Sequence, residues 1–332
     1  MTTSTGTAQP RAPRTSPRLY ARAIAIDAMP LAVLAAFVAE PSTRDFALVN
    51  VLVQAVLLAL AGLAAYRTRV MAYADAAWSW GLAAIGIQAL LFGGAGSPLL
   101  AIVSVMYVAM GARLGRRAVA RLLTDFPRDD LPRYRYRRLV WEREGYRSQT
   151  FPLLHELAQQ GLSNASLLAG PAMLAVADRA GSLGPVAVAG VALWAGSWAL
   201  ESLADLQKAR FLARRTNATC DVGLWRYSRH PNYFFEWLVW QGLIVVVLPS
   251  LVRLADDFAL LPWLGFAIAL PGIAGGMYNV LVHTTGAVPA EHFSVQHRRG
   301  YSDYQGRVNR FFPSVSRRTT TRSAEGKQLA RK

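Results

Sequence analysis

GLWRYSRHPNYFFEW, residues 223–237, sets two arginines, a histidine, an asparagine and a glutamate among aromatic rings. It runs without a break into LVWQGLIVVVLP, residues 238–249. A helix that starts this way and continues into an apolar run reads as a membrane span with its polar cluster at one end. Composition agrees: 53% of the 332 residues are hydrophobic, only 17% are charged, and mean hydropathy is positive. Windows near the roughly 20 apolar residues that cross a bilayer fall at 20–39, 46–66, 75–91, 98–111, 151–177, 184–206, 232–252 and 258–282. The expected fold is an all-α, polytopic transmembrane bundle of about eight spans, with six to eight as the range. Windows 75–91 and 98–111 are short or glycine-broken and also suit re-entrant or interfacial helices.

The net charge of +16 could suggest a nucleic-acid binder, but its distribution does not. Arginine and lysine gather up to residue 22, at 67–69, in 113–147, in 208–229 and from 298 onward. The alternate connections near 40–45, 93–97, 178–184 and 253–257 hold few. That alternation is the positive-inside pattern. It places both termini and every basic loop on the cytoplasmic side of a cell membrane, against anionic lipid, with no nucleic-acid partner. Residues 1–19 and 316–332 are Ser/Thr/Arg-rich and read as disordered basic tails flanking a transmembrane domain at 20–315. A single cysteine, Cys220, excludes an internal disulfide.

A charged side chain near the centre of a span costs on the order of 2.5–3.5 kcal/mol, so each one asks for a partner or a task. In WALESLADLQKARF, residues 198–211, Glu201, Asp205 and Lys208 share one helical face. They suit either an ion-pair ladder at the helix end or an acidic face for ribose hydroxyls. Pro231 can open the next helix. Asn232 and Glu236, at i and i+4, then face its N-terminal end, where partial positive charge and free N–H groups favour an anion. Arg226, Arg229 and His230 arrive just before it. An interfacial aromatic belt with Trp225, Tyr227 and Tyr233 is the plainer alternative. After the last span, Glu291, His292, His297, Tyr301, Tyr304 and Arg307 punctuate an amphipathic stretch. This could lie on the bilayer surface or hold a planar ring and a phosphate. No further ligand is spaced to complete a metal site with His292 and His297. DDLPRYRYRRLVWEREGYR, residues 129–147, is a basic aromatic loop or a cover for a cofactor. His155, Gln159 and Gln160 follow in the next window.

The 223–237 block resembles the signature of the DUF1295 membrane family, related to the C-terminal domain of steroid 5-alpha-reductases and to sterol reductases. ESLADLQK, DLPRY, Gln160–Gly161 and the ending YSDYQGRVNRFFP occur in the expected order, so the resemblance covers residues 75–313, most specifically 200–313. It implies an oxidoreductase of lipid metabolism acting on CH–CH groups, like a 3-oxo-5-alpha-steroid 4-dehydrogenase. Such an enzyme uses NADPH to reduce a carbon–carbon double bond in a steroid- or isoprenoid-like enone that enters from the lipid. By the same resemblance, Glu201 and Asp205 meet the nucleoside, Arg229, His230 and Asn232 bind phosphate or the nicotinamide amide, and His292, Tyr304 and Arg307 close the site. Lys208, Arg226, Tyr233 and Glu291 are further cofactor-binding candidates. Glu236 is the proton donor, with Tyr227 or Tyr278 as substitutes. A glutamic acid enclosed in a dry bundle can hold its proton near neutral pH. The family pattern carries glycine just before that glutamate; here the residue is Phe235. The same stretch also resembles isoprenylcysteine carboxyl methyltransferases, in which Glu291 and Tyr304 contact S-adenosylmethionine. A non-catalytic lipid-binding protein is the third reading.

Overall fold

The computed structural model describes residues 17–94, 97–124, 130–214 and 217–315. They form helices α1 (Pro17–Ala25), α2 (Ala28–Ala39), α3 (Pro41–Thr68), α4 (Ala72–Gly93), α5 (Pro98–Thr124), α6 (Pro132–Glu144) and α7 (Thr150–Ala165). Then come α8 (Gly170–Ala177), α9 (Pro185–Arg214), α10 (Pro231–Arg253), α11 (Leu260–Asn279), α12 (Ala287–His297) and α13 (Tyr301–Arg307). Among the described residues the only β-pairing is an isolated bridge between Ala218 and Arg299. The chain is an all-α polytopic bundle. Seven helical stretches are long and apolar enough to cross a membrane: Pro17–Ala39, Pro41–Thr68, Ala72–Gly93, Pro98–Thr124, Pro185–Arg214, Pro231–Arg253 and Leu260–His297. The windows expected at 75–91 and 98–111 are full helices. Residues 17–19, assigned to the N-terminal tail, already belong to α1. The rest of both expected tails lies outside the described residues.

Two sequence expectations change. The window at 151–177 is not one continuous span. It breaks at Ser166 (φ −113°, ψ −98°), and a 3-10 turn at Leu167–Ala169 leads into α8. Every residue from 164 to 176 is buried, which is where broken backbone is tolerated in a membrane protein. Side chains bind the break: Asn50 Nδ2 donates to Asn164 O at 3.1 Å, and Asn164 Nδ2 donates to Gln54 Oε1 and Trp78 O, both at 3.0 Å. The basic stretch from residue 113 is not a loop at its start either. α5 carries it in helix to Thr124, and α6 carries most of the remainder.

Close backbone approach sets the helix pairs that matter for the site. α9 packs along α10 and α4 along α5. A Cβ on Gly242 would come within 2.6 Å of Trp194 N, and one on Gly190 within 2.6 Å of Val246 N. Small residues at such crossings let membrane helices touch backbone to backbone. The α9–α10 contact brings the Glu201–Asp205 face against the first turns of α10.

Candidate functional site

α4, α5, α7, α9, α10 and the end of α11 surround a cavity of about 510 Å³, with Arg133 and Tyr134 of α6 on its wall. Such a volume lies within the roughly 300–1,000 Å³ usual for small-molecule sites. A short π-helical segment, Val280–Thr284, continues α11 and contributes Val280, Leu281 and Thr284 to the lining; π-segments often mark functional positions.

Six carboxylates line this space, and five of them are engaged. Asp27, between α1 and α2, accepts from Gln159 Nε2 at 3.0 Å and lies 2.8 Å from His155 Nε2. Asp75 pairs with Arg133 and accepts the Tyr134 hydroxyl at 2.5 Å. Burial pushes that hydroxyl well up from its ordinary pKa, so it stays a donor. Glu156 pairs with Arg137 at 2.9 Å. Glu201 pairs with Arg113 at 2.6 Å. Asp205 takes Arg113 at 3.3 Å, Arg117, and the Asn232 amide at 3.2 Å. The sixth, Glu236, makes no hydrogen bond or ion pair with any described residue, although it sits on the wall of the same cavity. Asn232 is also incompletely used. Its Nδ2 donates to Asp205, but its buried Oδ1 accepts nothing from the described residues.

Glu201, Asp205, Asn232, Tyr233 and Glu236, chosen from the sequence, are therefore brought together. Gln159 and Gln160 of α7 join them in the lining. The other candidates are not. Lys208 does not continue the acidic ladder, because its ammonium lies 4.3 Å above the Trp225 ring. Arg229, His230 and Glu291 form a separate buried cluster: Arg229 Nε donates to Glu291 Oε1 at 2.8 Å, and His230 Nε2 lies 3.2 Å from the same oxygen. Arg229 also donates to the carbonyls of Gln305 and Val308, both at 2.7 Å. Arg310 and Gln305 donate to Glu291 as well. These groups pin the C-terminal segment onto the loop before α10, which leaves them no free face toward the cavity. Burial drives the His230 pKa down to about 4 against the upward pull of Glu291. Tyr304 serves the same cluster, donating its hydroxyl to Trp225 O at 2.5 Å.

Tyr227 is 51% exposed at the surface. Tyr278 packs on Phe311 and Phe312 rather than on the cavity. Arg226 donates to Asp221 O at 3.3 Å, and Arg307 lies 3.8 Å from the Asp221 carboxylate. His292 packs beside Tyr136 and Phe293. Phe235 meets Phe234 edge-on at 5.2 Å and does not line the cavity, so its bulk occupies no ligand space. The sequence reading missed Arg113, Arg117, Arg121 and Asp75, whereas the DLPRY segment it offered as a cofactor cover puts Arg133 and Tyr134 on the wall. Their signals were available: arginines at i, i+4 and i+8 of one helix, and an aspartate opening an apolar one.

No curated protein and no solved structure matches the chain. The family described as a protein of unknown function, DUF1295, matches residues 62–308. Those residues hold nearly all of the paired carboxylates as well as Glu236, and the chain belongs to that family.

Proposed function

We propose that the protein is a multi-pass NAD(P)H-dependent reductase of a carbon–carbon double bond in a hydrophobic, steroid- or isoprenoid-like enone. The observation that carries this reading is Glu236, a carboxyl group on the cavity wall that no described residue hydrogen-bonds or ion-pairs. Such a group is free to act on a ligand. The residues present suit a dinucleotide. Asn232 offers a buried acceptor to a ligand N–H. Glu201 and Asp205 keep lone pairs for ribose hydroxyls, and arginines stand on the wall. NADPH, when bound, supplies the hydride. Glu236, in its acid form, donates a hydrogen bond or proton where charge develops on the enone oxygen. The Arg113 pairs tie α5 to α9, and Asp205 in turn accepts the Asn232 amide, which sets the Asn232–Glu236 face of α10 against α9. Apolar lining from Trp78, Leu114, Ile273 and Met277 excludes water and suits a substrate that arrives from lipid. The alternation of charge supports an orientation with the basic ends cytoplasmic.

The methyltransferase alternative relies on Glu291 and Tyr304, both committed to the C-terminal cluster. Titration of the purified protein separates the readings. Saturable binding of NADPH and not of S-adenosylmethionine is expected; the reverse result replaces the reductase with a methyltransferase. Binding of neither leaves a lipid-binding protein.

A further inference from the structure

Charge pairing in the cavity leaves a second group over. The α5 face toward the cavity is Leu114, Arg117, Ala118 and Arg121, an i, i+3, i+4, i+7 stripe. Arg113, Arg117 and Arg121 climb α5 one turn apart. The first two rungs meet carboxylates of α9, Arg113 with Glu201 and Arg117 with Asp205. The third has no such partner: α9 continues with Lys208 and Ala209 instead of an acid. Arg121 makes no hydrogen bond, ion pair or ring contact with any described residue, yet it lines the cavity from the exposed last turn of α5. It also acts electrostatically on the Tyr233 hydroxyl. Every other lining arginine is neutralised by a carboxylate.

We infer that Arg121 is the residue that selects a 2′-phosphorylated dinucleotide, NADPH over NADH. This inference rests on the reductase reading. A rim cation with no carboxylate partner among the described residues, one turn beyond the acid pair expected at the nucleoside, is where an adenosine ribose would present its 2′ substituent. In dinucleotide sites generally, acids accept the free ribose hydroxyl, and a nearby arginine is what accommodates the phosphate. The guanidinium gives a planar fork to a phosphate monoester. The diphosphate, common to both nucleotides, gives no discrimination.

The test is calorimetric titration of the detergent-solubilised full chain with NADPH, NADH, 2′-phospho-ADP-ribose and ADP-ribose. It is made on the wild type, Arg121→Ala and Arg121→Lys, with Arg116→Ala as an exposed α5 control outside the cavity lining. The wild type is expected to bind the phosphorylated member of each pair ~10–100-fold tighter, the worth of one charge-assisted contact. Arg121→Ala is expected to lower that ratio to near one while leaving NADH and ADP-ribose affinity unchanged. Arg121→Lys retains part of the preference, and Arg116→Ala all of it. An unchanged NADPH/NADH ratio in Arg121→Ala, with both nucleotides still bound, overturns the Arg121 assignment and leaves the reductase reading standing. A wild type that binds none of the four ligands overturns the reductase reading, and the Arg121 assignment with it.

Discussion

Glu236 and Glu201 share one cavity, yet their surroundings differ. Arg113 holds Glu201 at 2.6 Å, whereas Glu236 has no hydrogen-bond or ion-pair partner among the described residues. Glu236→Gln keeps the shape and removes the acid. Turnover of an enone is expected to vanish while NADPH binding by fluorescence titration persists; full activity removes Glu236 from the chemistry. Arg113→Met strands a buried carboxylate. A loss of about 3–5 kcal/mol in stability is expected, as for other broken buried pairs, and Arg113→Met with Glu201→Met should recover most of it. Thermal unfolding in detergent measures both. His230 is neutral in the folded state because its pKa, pushed down to about 4, lies below its unfolded value near 6.5. Between those values the unfolded chain binds the extra proton, so stability is lost as pH falls from about 6.5 toward 4. His230→Asn should flatten that segment of the melting-temperature profile relative to wild type.

At the level of elements, the site depends on α9 and α10 touching through glycine. Gly242 lies against the backbone of Trp194, with no room for a side chain. Gly242→Leu is expected to force the helices apart, separating Asp205 from Asn232. The measurable results are a lower melting temperature and loss of nucleotide binding without any change to a lining residue. The C-terminal segment is the second determining element. Ser228 Oγ donates to Phe311 O at 2.8 Å, and Arg229 N donates to Asn309 O at 2.9 Å. The loop that launches α10 is thereby held by residues some eighty positions later. Its internal turn needs glycine too: Gly223 has φ +55° and lies under the Gln207 side chain.

For the whole molecule, the alternation of basic connections makes orientation a testable expectation. In a Cys220→Ser background, a membrane-impermeant maleimide should label Ser182→Cys in intact cells and label Arg143→Cys only after lysis. The opposite pattern inverts the topology. Hydropathy along the chain already outlined seven of the helical stretches, because insertion energy is nearly additive over neighbouring residues. The spacing of Asn232 and Glu236 exposed one wall of the cavity, because i and i+4 share a helix face whatever surrounds it. The break at Ser166 could not be read this way, since its cost is offset by Asn50, Gln54 and Trp78 from other helices. Nor could the division of the polar residues into two groups. Arg229 and Glu236 lie two turns apart in sequence, yet one is sealed by Glu291 and the other faces open space. Local composition and periodicity determined that this chain enters a membrane and where its polar faces lie. Which charges cancel and which stay available was decided only by helix packing, because electrostatic pairing depends on the distance between side chains from remote segments.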